Sequence, residues 1–408
     1  MNLFKISTRL RATVFSMLAP LVILATPSEP TGEGAAGSSS EPAIRRLVDQ
    51  PGRAVIQSLP ALKTTVPMRN LDIPWDVAVM PTGAWLVTER DRLRITIRRP
   101  NGHREVLARR PANFWASGET GLMSIAADPN VGRNDRFYTC TGYVADGDPE
   151  VRVIAWRLNQ ARTNASRVEP LVTGIGITSG RHGGCRIRFD PQGAMYVGTG
   201  DAAVGTNPQH LGSLNGKVLR LNRFSGKPWP SNPWPRATDR DRRYVYTYGH
   251  RNVQGLAFRP GDRMWSVEHG TYRDDEVNRL SRGGNYGWDP APGYDESVPM
   301  TDFSLPGRQR GARWSSGSPT IATSGATWVR GREWGGYRGT LAVGALAAEK
   351  LVFMKFDANS KLVWTRAPDV LNGDFGRLRS VVQTASGALL VTTANGGGND
   401  KIVRVTPR

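Results

Sequence analysis

A histidine set among glycines is the first place in this chain where the residue types could do chemistry. In ITSGRHGGCRIRFDPQGAMYVGTGD (177–201), His182 follows Gly180 and precedes Gly183 and Gly184, and the stretch closes on Asp201. Imidazole ordinarily titrates near neutrality, which suits it to be a general base. Two readings of the glycines stand. They make tight turns between strands and leave His182 at the surface, or they let backbone and imidazole approach something large and flat. Three further segments carry a similar mixture of glycine and polar groups. ASGETGLMSIAADPN (116–130) holds Glu119 beside Gly118 and Gly121. YGHRNVQGLAFRP (248–260) holds Arg251, Asn252 and Gln254, the last of which has a turn-forming role open to it as well. EHGTYRDDEVNRLSRGGNYGWD (268–289) holds an acidic run that reads equally as a solvated turn. Arg377 and Arg379, one residue apart, fall on one face of a strand; in so arginine-rich a chain they read equally as solvated side chains.

The elements that must position these groups come from a weak repeat. A turn with Gly or Asp, followed by a short alternating apolar strand, occurs at PTGAWLVTER (81), GRNDRFYTCTGY (132) and PQGAMYVGTGD (191). It returns at PGDRMWSVEHG (260), YRGTLAVGAL (337) and ASGALLVTTANG (385). A four-stranded blade needs about 40–50 residues plus insertions, so the six signatures predict an all-β six-bladed propeller over residues 67–408. Two β-sandwich domains are the competing architecture, but no composition break separates two halves. A propeller gathers the loops at one end of its blades around the axis. Two of the polar segments follow or contain the repeat strand, which places them at strand ends.

Composition narrows the class. The 408 residues carry a net charge of +19, and 46 of the 54 basic residues are arginine. The arginines are scattered and no nucleic-acid module is present, so the charge argues for anionic small partners or surfaces rather than nucleic acid. MNLFKISTRLR followed by ATVFSMLAPLVILA reads as a secretory signal over 1–26, cut near Ala25 to Ser28, and is short for a bilayer span of about 20 residues. An uncleaved segment would make the only membrane contact. Residues 27–66 read mainly as a Pro-, Gly- and Ser-rich tether. Of the cysteines there are two, Cys140 and Cys185. Export favours their pairing over two buried thiols.

Taken in order, the His-Gly-Gly loop with MYVGTGD, GHRNVQGLAF, EHGTYRDDEVN with GGNYGW, and GRLRSVVQTASGALLVTT resemble hallmark segments of the soluble quinoprotein sugar dehydrogenases. These are glucose and aldose dehydrogenases that use pyrroloquinoline quinone. The resemblance runs from about 71 to 407 and implies a six-bladed propeller that oxidises aldose sugars to lactones and passes electrons to an external acceptor. It implies His182 as the catalytic base, Asp201 as the carboxylate that orients it, and Arg251 beside the reacting quinone. Glu119, Asn252, Gln254 and Thr320 fall at cofactor positions, and Arg377 and Arg379 match paired arginines for the cofactor carboxylates. For calcium, the resemblance implies the backbone carbonyls of Gly270 and Thr271, with a further site at Glu276 and Tyr286.

Several positions depart from that pattern. Ala347 stands where the family has a lysine reaching the cofactor, with Lys350 three residues on. Glu119 replaces a glutamine, Ser318 a tryptophan of one branch, and Thr271 the usual proline. They remove positive charge and stacking surface. Two functions therefore stand side by side: an exported calcium- and quinone-dependent aldose dehydrogenase, and a propeller without cofactor that binds a carbohydrate, a cell-wall component or a protein. A lactonase-type hydrolase is weaker, because the loops do not supply its set of carboxylates around one axial metal.

Overall fold

Each of the six turn-and-strand signatures becomes the second strand of a four-stranded antiparallel sheet. The computed structural model describes residues 58–408, and those residues form six such sheets arranged as a six-bladed β-propeller. Blade 1 comprises Pro74–Val79, Trp85–Glu89, Arg94–Arg98 and Arg104–Arg109. Blade 2 comprises Leu122–Ala127, Arg136–Ala145, Asp148–Leu158 and Ala165–Gly176. Blade 3 comprises Arg186–Phe189, Ala194–Gly198, Lys217–Asn222 and Val245–Tyr248. Blade 4 comprises Val253–Phe258, Met264–Glu268, Glu276–Arg279 and the two-residue Trp314–Ser315. Blade 5 comprises Thr323–Trp328, Thr340–Ala345, Lys350–Phe356 and Leu362–Arg366.

Blade 6 closes the ring. Its strands Leu378–Gln383, Leu389–Thr393 and Asp400–Pro407 are completed by Leu62–Leu71, which pairs antiparallel with Asp400–Pro407 in the register Leu62 to Pro407. The first strand thus starts ahead of residue 67, because the last strand offers it an open edge. The first strand of every blade packs beside the first strand of the next, and blade 6 meets blade 1 in the same way. These first strands line the axis.

The sequence signatures suggested alternating strands with one packed face. Five of the six second strands are instead buried along their whole length, among them Trp85–Glu89, Ala194–Gly198, Met264–Glu268 and Leu389–Thr393. Each lies between two neighbouring blades, so both of its faces meet apolar side chains. Large aromatics fill the wedges between blades. Trp265 is fully buried against Trp328, at 5.2 Å between ring centroids and near-perpendicular, and against Phe356 at 4.8 Å. Truncating such a side chain to alanine costs about 3–5 kcal/mol.

Cys140, in the second strand of blade 2, forms a disulfide with Cys185, just ahead of the first strand of blade 3, with Cα atoms 6.1 Å apart. The pairing expected from export is therefore present, and it ties the His182 loop to the neighbouring blade. The signal segment 1–26 and most of the tether lie outside the described residues. Among those residues, no helix is long and apolar enough to cross a membrane.

Candidate active site

In an antiparallel blade the loop before the first strand and the loop after the second open at the same end. That end collects segments 115–121, 177–185, 199–216, 249–252, 269–275, 317–322 and 372–378, which include almost every candidate residue.

The glycines around His182 have a different purpose from the one that would make room for a ligand. A Cβ on Gly180 would lie 2.0 Å from the Ser117 carbonyl oxygen, and one on Gly183 would lie 2.1 Å from Thr120 Oγ1. They let the histidine loop press against the 115–121 loop of blade 2, where the Thr120 hydroxyl and the Glu119 N–H both donate to Gly180 O. His182 itself takes the left-handed backbone region, at φ 54°, a conformation kept only where the surroundings enforce it.

The pair anticipated from sequence is formed. His182 is buried and its Nδ1 lies 2.8 Å from Asp201 Oδ1. A carboxylate only accepts, so Nδ1 carries the proton in this network. Asp201 is fully buried and also accepts from the Ala203 N–H, the Trp288 indole N–H and the Tyr294 hydroxyl, each at 2.8 Å. His182 Nε2 has no partner among the described residues. The His182 N–H donates to Glu119 Oε2 at 3.2 Å, and Asn252 Nδ2 donates to the same oxygen. Burial pushes Glu119 up, yet His182, His269 and Arg379 together hold it below the usual carboxylate range.

Gln254 does more than serve a turn. It is buried, donates to Asn252 Oδ1 and Gly184 O, and accepts from Arg379 Nη1 at 3.0 Å. It fastens three site segments together. Arg379 is buried at the start of the first strand of blade 6, over the Trp75 ring. Burial pulls it down to about 9, still a cation at neutral pH. Arg377 differs: it sits just ahead of the strand, exposed, with its carbonyl accepting from the Ala394 N–H. The two arginines are therefore one wall group and one rim group. Arg251 donates through its backbone to Glu268 Oε2 and pairs through Nη2 with Glu296. The Nε atoms of Arg251 and Arg379 are shielded from solvent and have no partner among the described residues.

Among the described residues no group of three His, Cys, Asp or Glu side chains is placed to hold a metal. The turn after Glu268 offers backbone oxygen instead. Gly270 N–H donates to Asp275 Oδ1 and Thr271 N–H to Arg273 O, while neither carbonyl of Gly270 or Thr271 accepts a hydrogen bond from the described residues. Glu276 is buried, with Asn278 and Thr301 donating to it; burial and the neighbouring Glu268 push it up to about 8. Tyr286 has its phenol already engaged, so any part it takes beside Glu276 would fall to its backbone. Its hydroxyl donates to Arg279 O and accepts from the Ser281 N–H, and its ring stacks on His250 at 4.7 Å. The core holds that phenol. Thr320 is half-buried with its N–H on Tyr272 O; Ala347 and Ser318 are exposed.

Five site residues escaped sequence reasoning: Arg181, His269, Trp288, Tyr294 and Glu296. His269 precedes Gly270 inside a segment already singled out, so its signal was available. Burial pulls it down to about 3, leaving a neutral ring whose shielded Nε2 has no partner among the described residues. Tyr294 and Glu296 fall in the 280–313 connection between the last two strands of blade 4, which reads as an ordinary Pro- and Gly-containing loop.

Comparison with known proteins gives the same direction. Residues 71–404 match the family described as Glucose / Sorbosone dehydrogenase. The Aldose sugar dehydrogenase YliI of Escherichia coli is 25% identical over 351 residues, covering 83% of this chain and 91% of that protein. Quinoprotein glucose dehydrogenase B of Acinetobacter calcoaceticus is 28% identical, over about half of each chain (51% and 50%). The structure of the PQQ-bound form of aldose sugar dehydrogenase from Streptomyces coelicolor superposes with a TM-score of 0.71 at 27% identity, covering 86% of this chain and all of that one (100%). The chain belongs to the glucose/sorbosone dehydrogenase family, as a sugar dehydrogenase of that type.

Proposed function

We propose that the protein oxidises the anomeric hydroxyl of aldose sugars to lactones with pyrroloquinoline quinone and calcium, handing electrons to an external acceptor. One observation carries the reading. A buried, carboxylate-oriented imidazole with a free Nε2 shares one mouth with two shielded guanidinium groups that each keep an unpaired Nε. The cofactor is a flat ortho-quinone with three carboxylates, and Arg251 and Arg379 suit it. The uncommitted Gly270 and Thr271 carbonyls suit calcium, which favours oxygen ligands, and Glu276 would regain its charge beside a cation. Glu119 and Glu296 are anionic, but N–H donors hold the first and arginines the second, so the residues present fit the group.

When bound, the quinone supplies the hydride acceptor and calcium its polarisation. His182 Nε2 takes the proton from the sugar hydroxyl. Asp201 holds the ring in the Nδ1–H tautomer and stabilises the imidazolium that results. Asn252 and Gln254 keep Glu119, Gly184 and Arg379 in register, and Arg251 faces charge developing on oxygen. The basic, apolar N-terminus supports export.

The test is reconstitution. Purified protein is mixed with the quinone and calcium, cofactor uptake is followed by absorbance, and dye reduction is measured with several aldoses. Saturable uptake with aldose-dependent reduction is expected. A calcium-saturated protein that takes up no quinone overturns the reading and leaves the carbohydrate- or protein-binding propeller in its place.

A further inference from the structure

The structure assigns to Tyr294 the role of a positioning residue that, with Asp201, holds His182 in the tautomer with Nε2 free. The assignment rests on the dehydrogenase reading above for the use of that nitrogen, but its geometry stands alone. The Tyr294 hydroxyl lies 2.9 Å from His182 Nδ1 and 2.8 Å from Asp201 Oδ2, while His182 Nδ1 lies 2.8 Å from Asp201 Oδ1. The phenol donates its single proton to the carboxylate, so toward Nδ1 it is an acceptor. An Nδ1–H then faces two acceptors at once, whereas an Nε2–H ring would set the Nδ1 lone pair against the Asp201 carboxylate oxygen and could be met by the phenol only if its proton left that carboxylate. Burial, with Asp201 adding to it, pushes the Tyr294 phenol well above its ordinary value, so it keeps the proton that this arrangement needs.

The residue reaches the histidine from another blade. Tyr294 comes from the long connection of blade 4, His182 and Asp201 from loops of blade 3. That connection is fastened beside the site. Glu296 pairs with Arg181 at 2.7 Å and with Arg251, and the Arg181 guanidinium lies over the Tyr294 ring at 5.4 Å. Trp288 of the same connection donates to the second oxygen of Asp201 and packs edge-on against Tyr294 at 6.2 Å. The ionisable groups around His182 are thus Asp201, Tyr294 and Glu119 in contact, with Arg181, Arg251, Glu296 and His269 beyond them.

The variant is Tyr294→Phe, which keeps the ring and removes the oxygen. Two readouts are taken. On cofactor-free protein labelled with 15N-histidine, at a pH where the ring is neutral, the His182 ring nitrogens report the tautomer directly. On protein loaded with quinone and calcium, steady-state kinetics separate kcat from KM. Wild-type protein is expected to show Nδ1–H alone, and the variant a measurable Nε2–H population. The variant's kcat should fall about tenfold, within the lower reach of general-base effects, with KM for the aldose and quinone affinity within twofold. A variant with wild-type ring shifts overturns the proposal, even if kcat falls. A wild-type ring protonated at Nε2 overturns it with no variant at all, which covers the case in which Tyr294→Phe does not fold. If loaded wild-type protein reduces no dye, the dehydrogenase reading fails, and the nitrogen shifts still decide the tautomer.

Discussion

Two buried polar clusters lie along the propeller axis, and they are built on opposite terms. In the wall, Asp76 of blade 1 accepts from Ser124 of blade 2, Arg188 of blade 3 and Ser380 of blade 6, and pairs with Arg186 at 2.7 Å. Burial pushes Asp76 up, but the Arg186 and Arg188 charges outweigh it and hold the carboxyl well below the usual range. Apart from one Arg186 nitrogen, this cluster is satisfied. At the mouth, the Arg251 and Arg379 Nε atoms, His269 Nε2 and the Thr271 hydroxyl are shielded and lack partners among the described residues, and His182 Nε2 makes no hydrogen bond to them either. One cluster closes its valences to bind blades together, and the other leaves them open. Arg186 joins the two, since its Nε donates to Gln254 O at 2.9 Å.

Five substitutions break or sharpen that contrast. Asp76→Ala has the largest effect, because it strands two arginines in the wall. A loss of about 3–5 kcal/mol is expected, read as a fall in the denaturant midpoint, and a loss below 1 kcal/mol would deny the wall its role. His182→Ala should lower kcat about 100-fold or more while stability and quinone uptake stay near wild type. A parallel loss of stability would make the mouth a structural cluster like the wall.

Arg379→Ala and Arg377→Ala test wall against rim. The first should weaken quinone affinity by about tenfold, the value of one charge-assisted contact near 1.4 kcal/mol. The second should change it less than threefold, and equal effects would restore the two arginines as a matched pair. Lys217→Met gives the smallest effect near neutral pH. Burial pulls Lys217 down to about 7, with Asp201 acting against it, and its ammonium donates to the carbonyls of Asn207, Pro208 and Asn215. Between about 7 and the ordinary 10.5 the folded state binds fewer protons than the unfolded chain. Stability from this group therefore rises with pH across that window. The variant should lose that rise, read from thermal melts at pH 7 and pH 10, and an unchanged slope would place the titration elsewhere.

The blades were more legible in the sequence than the mouth. The second strands announce themselves because each follows a tight turn and is mostly apolar, so the six signatures correspond to the six blades. His182, Asp201 and Arg251 were legible because they lie next to those strands. Tyr294 and Glu296 were not, since only the fold brings a loop of blade 4 over a histidine of blade 3. The glycines misled for a related reason. Their small size is spent on backbone passing backbone at Ser117 and Thr120, a contact between distant segments that no local pattern encodes.

The closing strand has a consequence for time. Synthesis is vectorial, and Leu62–Leu71, among the first described residues made, finds its partner only in Asp400–Pro407, the last. No incomplete chain can shut the ring, so the loops of blades 2 to 6 have no fixed axis to converge upon until the final strand arrives. Pairings this distant in sequence are slow to form, and the chain remains an open arc meanwhile. Loss of Asp400–Pro407 would therefore leave Leu62–Leu71 without its partner and blade 6 with two of its four strands.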